Sequence, residues 1–174
     1  MFTKTDIENY FSAIKNEQLF LMVLGAMALI VAIVFYMALK TNWYKGFALP
    51  LAVFALLNIG AGFSNYTKAD ALKVRNVYNY DLHPELLKSK ELPRIKEMNQ
   101  NLTVLIYVNI SILFAAAFIF FYFKRKDGNE YYTGVAASLF LVAVISVMMY
   151  SVMKSRSELY ESKIFNYTKA IITK

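Results

Sequence analysis

The only imidazole in this chain is His83, and Asp81 and Glu85 stand two residues to either side of it. An imidazole titrates near neutral pH and flanking carboxylates could orient it, so the triplet has parts of a proton-transfer or metal site. It lacks the rest. A closed zinc site takes about four N or S donors, yet the chain has one histidine and no cysteine. No HExxH pair, Gly-rich phosphate loop or GxSxG elbow supplies ligands, a phosphate cradle or a nucleophile. A lone histidine followed by Pro84 reads as a turn residue. The residue types therefore predict a non-enzymatic protein with no cofactor and no metal.

The remaining polar groups that could act are Asn58, Asn109, Ser111 and Ser146, each isolated in apolar sequence. They could line a narrow polar path. Hydrogen bonds between helices, worth about 0.6 kcal/mol each in lipid, are the simpler reading. Three Asn-x-Thr sequons, at Asn65, Asn101 and Asn166, read as incidental. The absence of cysteine also removes disulfides, redox dithiols and palmitoylation.

The elements that carry these residues are apolar runs of membrane length. Residues 19–39, 46–67, 102–123 and 131–153 contain no Asp, Glu, Lys, Arg or His. About 20 apolar residues cross the hydrocarbon core as a helix, so these runs predict four transmembrane helices. Barrel strands would alternate over about ten residues and be far less apolar. Between the second and third runs lies a polar strap, residues 68–101, with His83, Pro84 and Pro93. Residues 1–18 read as an amphipathic lead helix, capped by Thr5 or Asp6, with a stripe at Ile7, Phe11 and Ile14. The charged lead and the length of the first run argue for a retained anchor rather than a cleaved signal. Residues 154–174 continue the fourth helix, and Tyr160, Ile164, Tyr167 and Ile171 recur at coiled-coil spacing.

The expected fold is all-α: four transmembrane helices as two hairpins, each helix prolonged on one side into a short polar bundle. That bundle is expected to bury Val74, Val77 and Ile95 with the two stripes just named. The hairpins resemble each other. Phe35-Tyr36 and Tyr44-x-Gly46 match Phe121-Tyr122 and Tyr132-x-Gly134, while Val77-Tyr78-Asn79-Tyr80 matches Ile164-Phe165-Asn166-Tyr167. A true repeat would be parallel, with both halves facing the same way. Pro50 is expected in the first turns of the second helix, where its missing N–H costs little.

The formal charge of +7 suits contact with anionic lipid headgroups. The basic residues are scattered over five segments rather than one stripe, which disfavours nucleic acid. The two termini and the strap carry 14 of the 19 Lys/Arg residues. The turns between helices are denser in charge, but so short that they translocate more easily than the strap and both tails. The expectation is a cytoplasmic N-terminus and C-terminus.

The strings Lys40-Thr41-Asn42-Trp43-Tyr44-Lys45-Gly46 and Glu91-Leu92-Pro93-Arg94 resemble those of a largely uncharacterised group of small four-pass bacterial membrane proteins. The resemblance implies an inner-membrane location and an association with antagonistic secretion systems and their toxins. It assigns no site residues. With no chemistry-bearing constellation, the sequence points to an interaction protein, such as an immunity or accessory subunit, using membrane lipid and a protein partner or a second copy. A small transporter or channel-forming oligomer is the alternative, and no small-molecule substrate is identified. The candidate partner-binding residues are the slim helix face Ala48, Ala52, Ala55 and Gly60, where another helix can approach. Beside them stand Arg75, Tyr78, Tyr80 and Arg94 of the strap, residue types favoured at binding hot spots.

Overall fold

The computed structural model describes residues 2–125 and 128–172, with side chains as far as Lys169. Lys126 and Asp127 of the second turn, Lys174, and the side chain of Ile171 in the expected C-terminal seam lie outside the described residues. Among the described residues there are five α-helices and one π-helical turn: α1 (Lys4–Met37), α2 (Asn42–Leu82), a single turn α3 (Pro84–Leu86), the π-helical turn Leu87–Glu91, α4 (Leu92–Lys124) and α5 (Glu130–Ile172). There is no strand among the described residues. Four of the helices are long and apolar enough to cross a membrane.

Their length explains the architecture. At 1.5 Å per residue, the 41 residues of α2 extend about 60 Å, roughly twice the ~30 Å hydrocarbon core. Each long helix therefore has an apolar half and a polar half, and the polar halves lie together. The expected strap is mostly such extension. The sequence predicts a helix through about Tyr78, whereas α2 continues to Leu82 and breaks at His83, whose φ of −139° and ψ of 61° leave the helical region. Pro84 then starts a new turn, where its missing N–H is no loss.

The N-terminal cap is Thr3, not Thr5 or Asp6. Asp6 instead occupies the third helical position: its carboxylate accepts from the Thr3 N–H at 2.8 Å, and its own N–H donates to Thr3 Oγ1 at 3.4 Å. This is a capping box. Pro50 is also displaced from expectation. Because α2 begins at Asn42, Pro50 lies inside the helix and the carbonyl of Gly46 loses its helical N–H partner.

α1 packs along α2, α4 along α5, and α2 against α5, while α2 and α4 do not pack along each other. Small residues set the crossings. A Cβ on Gly25 would lie 2.9 Å from the Ala55 carbonyl oxygen, and one on Gly62 would lie 2.7 Å from Met22 Cγ. Between the hairpins the contact is reciprocal. A Cβ on Gly46 would strike the backbone of Tyr131, and one on Gly134 the backbone of Trp43. Trp43 and Tyr131 hold matching places in the two halves, as do Gly46 and Gly134. At the other end Tyr80 stacks on Tyr167, its matched residue, with centroids 5.2 Å apart. Both ends of the α2–α5 pair thus carry contacts between residues that match in the alignment of the two hairpins.

The polar halves bury one core: Phe2, Ile7, Tyr10, Phe11, Leu87, Leu92, Ile95, Tyr160 and Ile164, with Ile14, Val77 and Tyr167 packed against it. Val74, expected there, is instead 67% exposed. It lies on the outer face of α2, and no neighbouring helix covers that face. Ion pairs ring the bundle, Lys4 to Asp81 at 2.7 Å, Asp6 to Lys163 at 2.7 Å and Lys15 to Asp70 at 2.5 Å. α1 is thereby tied to both α2 and α5.

Candidate functional site: a cavity beneath the polar bundle

α2 and α5 touch near the turns and again at the Tyr80–Tyr167 stack, and between those points the four helices enclose a cavity of about 750 Å³. α1 contributes Tyr10, Phe11, Glu17, Gln18 and Leu21 to its wall, and α5 contributes Tyr150, Met153 and Arg156. None of these is exposed. Of the lining residues on α2 and α4, Leu57, Ala61, Asn65, Lys68, Glu97, Asn101 and Leu105 are exposed, whereas Asn58, Ala69, Leu72, Arg94, Met98 and Leu102 are partly or fully buried. The cavity is therefore open on one side, between α2 and α4.

On the opposite side an ion pair and a hydrogen bond bridge α5 and α1, beneath a surface groove of about 500 Å³ lined by Ala13, Phe20, Met148 and Val152. Arg156 on α5 reaches Glu17 on α1 at 2.5 Å, and Tyr10 donates to Ser157 Oγ at 3.5 Å. Burial raises the Glu17 carboxyl above its usual range, with Arg156 pulling the other way. Among the described residues no ion pair joins α2 to α4 at this level, so the bridge between Glu17 and Arg156 has no counterpart there.

Above the cavity sits a buried charged knot. The Glu91 side chain is 1% exposed, and it accepts from Arg94 Nη2 at 2.6 Å and Nε at 2.9 Å, with Arg75 at 3.6 Å. Two parallel bonds to a planar guanidinium make this a strong form of ion pair. Burial works to lower the Arg94 pKa, and the hydrogen bonds and charge of Glu91 outweigh it, leaving a net rise. Arg94 also lies 5.8 Å above the Phe11 ring. Beside the knot, Tyr10 and Tyr160 stack at 3.8 Å. Burial pushes the Tyr10 phenol up to about 12 and raises Tyr160 further. These phenols stay protonated at any physiological pH.

The candidate residues from sequence fall into different places. Ala48 and Ala55 are buried within the fold, Ala52 is partly buried beside them, and Ala55 faces Gly25 of α1. Their slimness is used to dock this chain's own helices. Gly60 is open, with nothing within 4 Å of where a Cβ would be. Tyr80 is engaged by Phe2 and Tyr167, and Arg94 by Glu91. Arg75 and Tyr78 remain on the surface. His83 is exposed, 3.2 Å from Glu85, and no three His, Asp or Glu side chains converge among the described residues.

Two site residues were not singled out by sequence reading. Glu91 lies four residues from Leu87 and from Ile95, and all three are fully buried. Gln18 continues the stripe of Ile7, Phe11 and Ile14 at heptad spacing. A charged or amide residue on an apolar stripe was the available signal in both cases. Comparison with protein-family profiles, curated proteins and solved structures finds no match to this chain.

Proposed function

We propose that the chain is a multi-pass protein of the bacterial inner membrane, with its polar bundle and both termini in the cytoplasm. It acts by binding a membrane-active partner, as an immunity or accessory subunit does, and not by catalysis. The observation that carries this reading is the difference between the two sides of the cavity. One side is bridged by Glu17 and Arg156, while between α2 and α4 the cavity is lined by exposed residues that include the small Ala61. A partner moving in the bilayer reaches that side without crossing water, and slim positions there favour close helix approach.

A channel or transporter is favoured less. Asn58, Asn109 and Ser111 each donate to a carbonyl of their own helix. Ser111 faces outward on α4, so the polar groups do not form one continuous path. Photo-crosslinking residues placed at Leu57 and Gly60, compared with Ile33 on the outer face of α1, test the proposal in cells. A discrete adduct from the α2 positions alone is expected. Equal adducts at all three positions, or ion flux through liposomes carrying the pure protein, would overturn it.

A further inference from the structure

We infer that the cavity holds one aminophospholipid of the leaflet beside the polar bundle, with its headgroup in the polar part of the cavity between Gln18 and the mouth and an acyl chain along the leucine wall. The inference rests on the binding reading above and names what occupies its open side. The cavity's 750 Å³ lies within the ~300–1,000 Å³ range of small-molecule sites.

The lining then sorts by chemistry. Leu21, Leu57, Leu102 and Leu105 form the apolar wall suited to an acyl chain. Toward the polar bundle the wall carries the carboxamides of Gln18, Asn65 and Asn101, while Asn58 lies at the depth of Leu57. Gln18 is 2% exposed and its Oε1 accepts no hydrogen bond. A buried acceptor left unmet is costly, so this wall suits a ligand that donates. At the mouth, Lys68 from α2 and Glu97 from α4 present opposite charges, whereas Arg94 and Arg156 are already paired with Glu91 and Glu17. An ethanolamine headgroup meets all three demands, with a phosphate for Lys68, an ammonium for Glu97 and N–H donors for the carboxamides. A choline headgroup has the same charges and no donor.

The full-length protein is reconstituted in nanodiscs of phosphatidylethanolamine or phosphatidylcholine, and retained lipid is counted by native mass spectrometry. One phosphatidylethanolamine per chain is expected, retained at least tenfold over phosphatidylcholine. Gln18→Leu should abolish that preference while leaving the lipid-free protein at least as heat-stable, because it removes an unmet polar group. Ala61→Trp, at the exposed mouth, should block retention of both lipids. Equal retention of the two lipids, or a preference unchanged by Gln18→Leu, overturns the inference. Ala61→Cys separates the two levels of argument. Reaction with a bilayer-soluble maleimide, combined with equal lipid retention, removes the lipid and leaves the open side to a protein partner. No reaction means that the side is shut, and both readings fall.

Discussion

Arg94→Met should destabilise the protein more than Glu91→Leu, and the double substitution should cost less than either. Removing Arg94 strands a carboxylate whose side chain is 1% exposed, with only Arg75 at 3.6 Å to balance it. Breaking a buried pair from one side in this way costs about 3–5 kcal/mol. Removing Glu91 strands the guanidinium instead, but Arg94 is 29% exposed and can turn toward water. That loss is closer to the ~1.5–3 kcal/mol of a hydrogen bond to a charged group. With both gone nothing is stranded, and apolar replacements of similar volume should leave stability within about 1 kcal/mol of the parent. The coupling in the double-mutant cycle should then exceed ~3 kcal/mol, the upper end usual for contacting residues. Reversible unfolding in detergent at neutral pH measures the cycle. Single substitutions that each cost under ~0.5 kcal/mol would show that the pair is solvated and refute the reasoning.

Gly134→Leu should cost at least ~1–3 kcal/mol by overpacking against Trp43, whereas Gly60→Ala, in open space, should gain up to ~1 kcal/mol. Thermal melts of the two variants side by side check this. Ile164→Ala should cost ~2–5 kcal/mol because Ile164 is fully buried. Val74→Ala should stay within about ±0.5 kcal/mol, and a shared value for the two would dissolve the polar core. The Lys163 hydrogen bond holds the Asp6 carboxyl below its usual range. Its stabilisation is thus present above the unfolded pKa of ~3.9 and disappears as pH falls through the lower folded value. Asp6→Asn should flatten the acid limb of the stability profile by under ~1 kcal/mol, since Lys163 is 44% exposed. For orientation, cysteines at Tyr44 and Glu130 should react with an impermeant maleimide applied outside intact cells, and reaction only after lysis would invert the topology.

The four apolar helices were legible because lipid permits few charges, which makes each span a countable run. The polar core was legible where stripes repeat, at Ile7, Phe11 and Ile14 and at Tyr160, Ile164 and Tyr167. The same rule misplaced Val74, since an apolar side chain on a helix says nothing about whether another helix covers it. Ala48 and Ala55 show the related limit: slimness reveals that a neighbour comes close, not that the neighbour is the chain's own α1 or α5. Glu91 went unread because an acidic residue in a polar interval resembles a solvated one. Only its four-residue spacing from Leu87 and Ile95 betrays burial. The cavity had no sequence signature, because it arises where α2 and α5 separate between two contact points.

Contacts that map onto themselves across an axis are those of a two-fold dimer. Gly46 on Tyr131, Gly134 on Trp43 and Tyr80 on Tyr167 would hold two identical hairpins together as well as they hold these two. What the segment between His83 and Glu91 adds is proximity. A short tether of this kind raises the effective concentration of one hairpin around the other to the order of millimolar. It also makes pairing one-to-one, so the two hairpins need not be alike. Residues 1–86 and 87–174 produced as separate chains should therefore still find each other in a bilayer, but with an affinity that falls on dilution. Unlike hairpins leave room for an ion pair on one flank and an opening on the other.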